Sequence, residues 1–287
     1  MSNQLSQVNP VRRTWWVKIR RAEKHLGDIR DQLIWLRENR RPYDVVTSIE
    51  TRNDVNYLCV RGYLPRSDES LEKELEDFAA LVGDFVINVR AALDHICVAL
   101  GRDDNQFPIF TVNPWPTDID PETRKDRNKA GRDRFKKCTV GVPKNALALI
   151  KSIQPYLTEA VNPEFDSLAL LTHLTNADKH RRLLVTANYL CNASCTVTYP
   201  GYEPQVSTWT NSWNWHGADG AIISDLFMVV PDLEPHVKAS GGFEIGLQEV
   251  DKRRSPNADW VLPGTLDGIL IRVRDKIWLS CRWCGLI

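Results

Sequence analysis

The chain has no excess charge of either sign, since its 287 residues carry 37 Lys plus Arg against 37 Asp plus Glu. No global field therefore steers it toward nucleic acid or anionic lipid, and any such contact must come from a local patch. No apolar run approaches the roughly 20 residues of a membrane-spanning helix. Residues 1–19 lack the basic, apolar and small-residue order of a secretion signal. Seven cysteines are too few, and odd in number, for a disulfide framework. The expectation is a cytoplasmic protein with reduced thiols and no membrane partner. GxGxxG, P-loop, GxSxG and HExxH patterns are also missing, which argues against ordinary nucleotide-dependent and serine-hydrolase chemistry. What remains, 43% hydrophobic and 26% charged, is an ordinary globular composition.

Apolar residues Trp15, Ile19, Ala22, Leu26, Ile29, Leu33 and Leu36 step by fours and threes, the spacing of one helix face. The period then changes to two. Val45, Thr47 and Ile49 alternate before Asn53-Asp54, and Tyr57, Cys59 and Arg61 after it, predicting a β-hairpin over 43–63. Ser67-Asp68-Glu69 opens a second long helix reaching about Leu100, apolar on most of its circumference from Ala79 onward. Periodicity is lost from Phe107 to Pro143. Short helices are expected from Lys144 to Ile153 and from Asp166-Ser167 to Arg182. Strands are expected over Leu183–Tyr189, Ser194–Tyr199, Ala221–Val230 and Phe243–Val250. A helix from Thr265 closes the chain, because an uninterrupted strand of that length would be unusual.

The fold class this predicts is α+β: a bundle of about five helices with an associated antiparallel sheet. Residues 1–183 form the bundle, with the hairpin and a basic loop (111–142) inserted. Residues 184–287 form a β-rich part whose last helix returns to the bundle, and the whole can equally be one interleaved domain.

The second helix carries two polar lines. Asp84, Asn88 and His95 fall within about 40° of one another at about 100° per residue, and Arg90 and Asp94 stand one turn apart, spaced for an ion pair. In the later helix His173, Asn176 and His180 share a face, and Asp178, Lys179 and Arg181 cluster with His180 at its carboxyl end, where cations suit the dipole. Two such stripes would satisfy their polar groups by facing each other, with Asp84 or Asn88 fixing an imidazole tautomer. That arrangement can be a structural network, a metal site from His95, His173, His180 and Asp84, or a reaction centre.

Arg90-Ala-Ala-Leu-Asp-His95 resembles the RxxxxH motif of HEPN ribonucleases, helical-bundle proteins of bacterial toxin and anti-phage systems. The resemblance implies metal-independent RNA cleavage, without a cofactor, in a cleft between two protomers. His95 would move the proton of the ribose 2′-hydroxyl and Arg90 would hold the phosphate. Asp84, Asn88, Asp94, His173, Asn176, Asp178, His180 and Arg181 would support them. It further implies RNA as partner, a homodimer and, for a toxin, a neutralising partner. Ala91 departs from the polar residue that HEPN motifs commonly place there. More broadly, Gly83-Asp84, Asn88-Val-Arg90-Ala-Ala-Leu-Asp-His95, Phe107-Pro-Ile109, Gln154-Pro-Tyr156 and Asn176-Ala-Asp-Lys-His-Arg181 are similar to a family of uncharacterised bacterial proteins seen especially in actinobacteria. That likeness groups the two polar helices into one constellation.

Residues 122–137 hold eight basic side chains (Arg124, Lys125, Arg127, Lys129, Arg132, Arg134, Lys136, Lys137) against Glu122, Asp126 and Asp133, a local net of +5. They are the candidate nucleic-acid contact, with Trp115 and Phe135 available for base stacking, or a solvated loop. Trp209, Trp213 and Trp215, before His216 and Gly217, read as core beneath the sheet or as aromatic faces for bases or sugars, and in an interaction module as the partner-recognising surface. Cys191, Cys195, Cys281 and Cys284 have spacings compatible with zinc or with packed free thiols. The competing functional expectation is a noncatalytic helical interaction module whose Asp, Asn, Arg and His residues lock the core.

Overall fold

A computed structural model describes residues 11–39, 44–63, 69–180, 184–209, 213–214, 221–230, 233–248, 260–261 and 264–278. The chain is α+β and divides into two compact units: 1–29, 80–183 and 263–287 in one, 30–79 and 184–262 in the other.

The helical unit takes the first part of α1 (Val11–Asn39) and most of α2 (Glu69–Leu100). It continues with α3 (Lys129–Cys138), α4 (Lys144–Ser152), the single turn α5 (Pro155–Thr158), α6 (Ser167–His180) and α7 (Gly264–Ile271). Trp15, Ile19, Ala22, Leu26 and Ile29 of α1 are buried, as their spacing predicts. In α2, Val82, Phe85, Val86, Val89, Ala92, Leu93, Ile96 and Cys97 are all buried. That breadth is why the few polar groups of this helix need partners of their own. Asp166 starts α6 by accepting the Leu168 N–H at 2.8 Å on Oδ1. The expected terminal helix is present as α7, which passes into a π-helical turn, Arg272–Trp278.

The other unit is built on antiparallel pairs. The predicted hairpin forms β1 (Asp44–Arg52) and β2 (Val55–Tyr63), turning through Asn53 and Asp54, both at positive φ. Its outer neighbour is β6 (Ala221–Met228), giving the order β1-β2-β6. A second sheet has the order β4-β3-β7-β8, from β4 (Gln205–Trp209), β3 (Leu184–Thr198), β7 (His236–Gln248) and β8 (Trp260–Val261), and β5 (Trp213–Asn214) also pairs with β3. Leu58, Val60, Cys195, Val197, Tyr199 and Phe227 form this unit's buried cluster.

Three expectations need correction. Residues 129–138 are a helix rather than part of a loop: α3 is basic almost all round and buries only Phe135, so its apolar stripe is too thin to register as a period. The strands expected at 183–189 and 194–199 are one strand, β3, whose register against β7 shifts between Cys191 and Ser194. Strands β4, β5 and β8 were not expected, and β5 and β8 are two residues each, too short to show alternation.

Candidate functional site

The predicted ion pair of α2 is formed, and it holds a third group. Arg90 Nη2 lies 2.9 Å from Asp94 Oδ1 and Arg90 Nε donates to Asp94 Oδ2 at 3.3 Å. The same Nη2 also donates to the Phe107 carbonyl at 2.7 Å, while the Phe107 N–H donates back to Asp94 Oδ1 at 2.9 Å. Guanidinium and carboxylate thus close a ring on both polar groups of one buried peptide residue. Phe107 is 1% exposed, so neither group can turn to water instead.

Two more side chains tie down the neighbouring stretch. Asn105 Nδ2 donates to the Val140 carbonyl at 2.8 Å. Gln154, at 1% exposure, accepts the Phe110 N–H at 2.9 Å and donates to the carbonyls of Pro108 and Ile150 at 3.0 and 2.8 Å. Phe107, Pro108 and Ile109 are buried, and a stretch outside helix and sheet must find side-chain partners for its backbone. Arg90, Asp94 and Gln154 supply them. Three of the five motif segments, those at 88–95, 107–109 and 154–156, therefore meet at one architectural feature. Sequence reasoning placed Gln154 in a motif without giving it a role and did not single out Asn105; a polar residue immediately before a helix-starting proline, as in Gln154-Pro155, is the signal that could have marked the former as structural.

The two remaining motif segments, at 83–84 and 176–181, meet elsewhere. A Cβ on Gly83 would collide with Asp178 Oδ1 and approach its Cγ to 3.1 Å, so only glycine lets the α6 carboxylate come this close to α2. Burial pushes the Asp178 carboxyl above its ordinary range and the charge of Asp84 adds to this, with Lys179 opposing. The expected role for Asn88 is not seen. Its Nδ2 donates to the Asp84 carbonyl at 2.7 Å in its own helix, and its Oδ1 is buried without a partner. No imidazole is fixed by Asp84 or Asn88 among the described hydrogen bonds, and His95 Nδ1 is likewise buried without a partner. His173 is half-buried and Asn176 exposed on α6; the His180 side chain and Arg181 lie outside the described residues. Among the described residues no group of three or more His, Cys, Asp or Glu is arranged to hold a metal ion. Cys195 is fully buried, which pushes its thiol up to about 11. Cys281 and Cys284 lie outside the described residues, as do Trp215, His216 and Gly217.

The basic run sorts into two sets. Arg127 is held by Asp120 at 2.9 Å, and Arg132 by Asp126 and the Pro114 carbonyl. The Thr123 backbone N–H and the Arg127 guanidinium keep the Asp120 carboxyl below its ordinary range, and Arg132 does the same for Asp126. The other set, Arg124, Lys125, Lys129, Arg134, Lys136 and Lys137, is exposed and has no carboxylate partner among the described residues. Four of these are on α3, whose inward side is Phe135 and Gly131; Arg134 stands over the Phe110 ring at 5.4 Å. Phe135 is 4% exposed and cannot stack on a base as expected, whereas Trp115 is half-buried.

No family model, no curated protein and no solved structure matches the chain. No described helix is long and apolar enough to cross a membrane.

Proposed function

We propose that the chain is an RNA-binding protein of the HEPN-like kind, in which the RxxxxH helix serves as architecture and the outer face of α3 contacts the phosphate backbone. One observation carries this reading: the division among basic side chains. Arg90, Arg127 and Arg132 are bound to carboxylates, while Lys129, Arg134, Lys136 and Lys137 are exposed on one ten-residue helix with only Asp133 among them. Cations without carboxylate partners are free to replace the counterions of a phosphate chain. RNA is chosen over DNA on the RxxxxH resemblance.

The test is binding of labelled RNA by the purified chain over a salt series in chelator, beside a variant with these four cations changed to alanine. Losing about four phosphate contacts should flatten the log–log salt dependence by about 3 and weaken binding across sequences. Absence of RNA binding by the wild type at low salt refutes the reading and leaves a protein-interaction module. The catalytic form, with Arg90 and His95 cutting RNA between two protomers, predicts cleavage that Arg90→Ala and His95→Ala abolish at unchanged melting temperature. The geometry favours uncut RNA and a lower melting temperature for Arg90→Ala.

A further inference from the structure

Trp115 sits where α3, α4 and α5 meet its loop. Its indole N–H donates to Tyr156 Oη at 2.8 Å, and its ring meets Phe135 edge-on, centroids 5.1 Å apart at 79°. These two contacts fix the plane of a ring that remains half-buried. The Lys151 ammonium stands 3.8 Å from its centroid and has no carboxylate partner among the described residues. Phe110, Phe135 and Trp115 thus make a row of rings with a cation at each end, Arg134 over Phe110 and Lys151 over Trp115. Phe135 and Arg134 belong to the basic helix already assigned to phosphate.

We propose that Trp115 is the seat of an unpaired nucleobase, that Lys151 moves from the ring to the phosphate of the same nucleotide, and that the RNA taken is single-stranded. This rests on the RNA-binding reading above. A base stacked on an indole outweighs a partly exposed ammonium on the same face. A lysine is a point charge on a flexible four-carbon stem, so its head can follow the phosphate while its root stays in α4. Bases inside a duplex already stack on one another and cannot offer a face to the ring.

The experiment uses a 12-nucleotide RNA carrying one 5-iodouridine, its blunt duplex, and the unsubstituted chain. Irradiation followed by mass spectrometry should place the crosslink on Trp115, and the single strand should bind at least about tenfold more tightly than the duplex. Trp115→Leu should weaken single-strand binding about five- to a hundredfold, and Lys151→Met should flatten the salt dependence by about 0.7. Crosslinks confined to α3, with equal affinity for strand and duplex, overturn the base seat and leave the α3 reading standing. No binding of either RNA overturns both. The crosslink needs no substitution, so it decides the matter even where Trp115→Leu fails to fold.

Discussion

Substituting Asp94 by alanine removes the acceptor of two short bonds at once, from the Phe107 N–H and from Arg90 Nη2, each 2.9 Å. The N–H belongs to a residue 1% exposed, so it is left without water, at a cost of about 1–3 kcal/mol. The Arg90 side chain is 15% exposed and keeps the Phe107 carbonyl, so its loss is smaller than that of a sealed charge. The sum is about 2–4 kcal/mol. Arg90→Ala strips the Phe107 carbonyl of its donor and leaves Asp94 its N–H, about 2–3 kcal/mol by the same reasoning. Because both residues act on one peptide group, the double variant should cost less than the sum by about 1–2 kcal/mol. Chemical denaturation of the four species measures this cycle, and Asp94→Ala should lower the melting temperature by on the order of 5–10 °C. Single costs below about 0.5 kcal/mol, or strict additivity, would refute the idea that the pair is built around Phe107.

Three further outcomes follow from the same contacts. Gly83→Ala, which in an ordinary helix interior gains about 1 kcal/mol, should destabilise here because its methyl meets the Asp178 carboxylate, and should turn stabilising in an Asp178→Ala background. Asp178 binds its proton more tightly when folded, so its contribution is present in acid and is lost as pH rises through the elevated value. Asp178→Asn should therefore melt higher than wild type at neutral pH, with the gap closing toward about pH 4; a gap that widens in acid would contradict this. Gln154→Glu should destabilise more than Gln154→Met at neutral pH, because a carboxylate would face the Pro108 and Ile150 carbonyls that the amide now serves. Equal unfolding midpoints for the two would count against the clamp.

Much of this arrangement could be read from local spacing. The stripe from Trp15 to Leu36, the Asn53-Asp54 turn and the one-turn interval between Arg90 and Asp94 are each fixed by chain geometry over a few residues. What spacing cannot supply is the third partner. Phe107 lies 17 residues from Arg90 and Gln154 lies 44 from Phe110, and nothing in either segment announces the other. The same holds for Gly83 and Asp178, where the need for glycine arises only from the neighbouring helix. Helix α3 was hidden for the opposite reason: a single buried phenylalanine among lysines and arginines leaves no periodic stripe to detect.

The central claim is that Arg90 and Asp94 exist to hold the Phe107 backbone, and amide hydrogen exchange at Phe107 tests it most directly. The account predicts slow exchange at this amide in the wild type, accelerated about ten- to a hundredfold in Asp94→Ala while amides elsewhere in α2 change less. A Phe107 amide that exchanges in the wild type as fast as that of exposed Val112, or that is indifferent to the loss of Asp94, would contradict it.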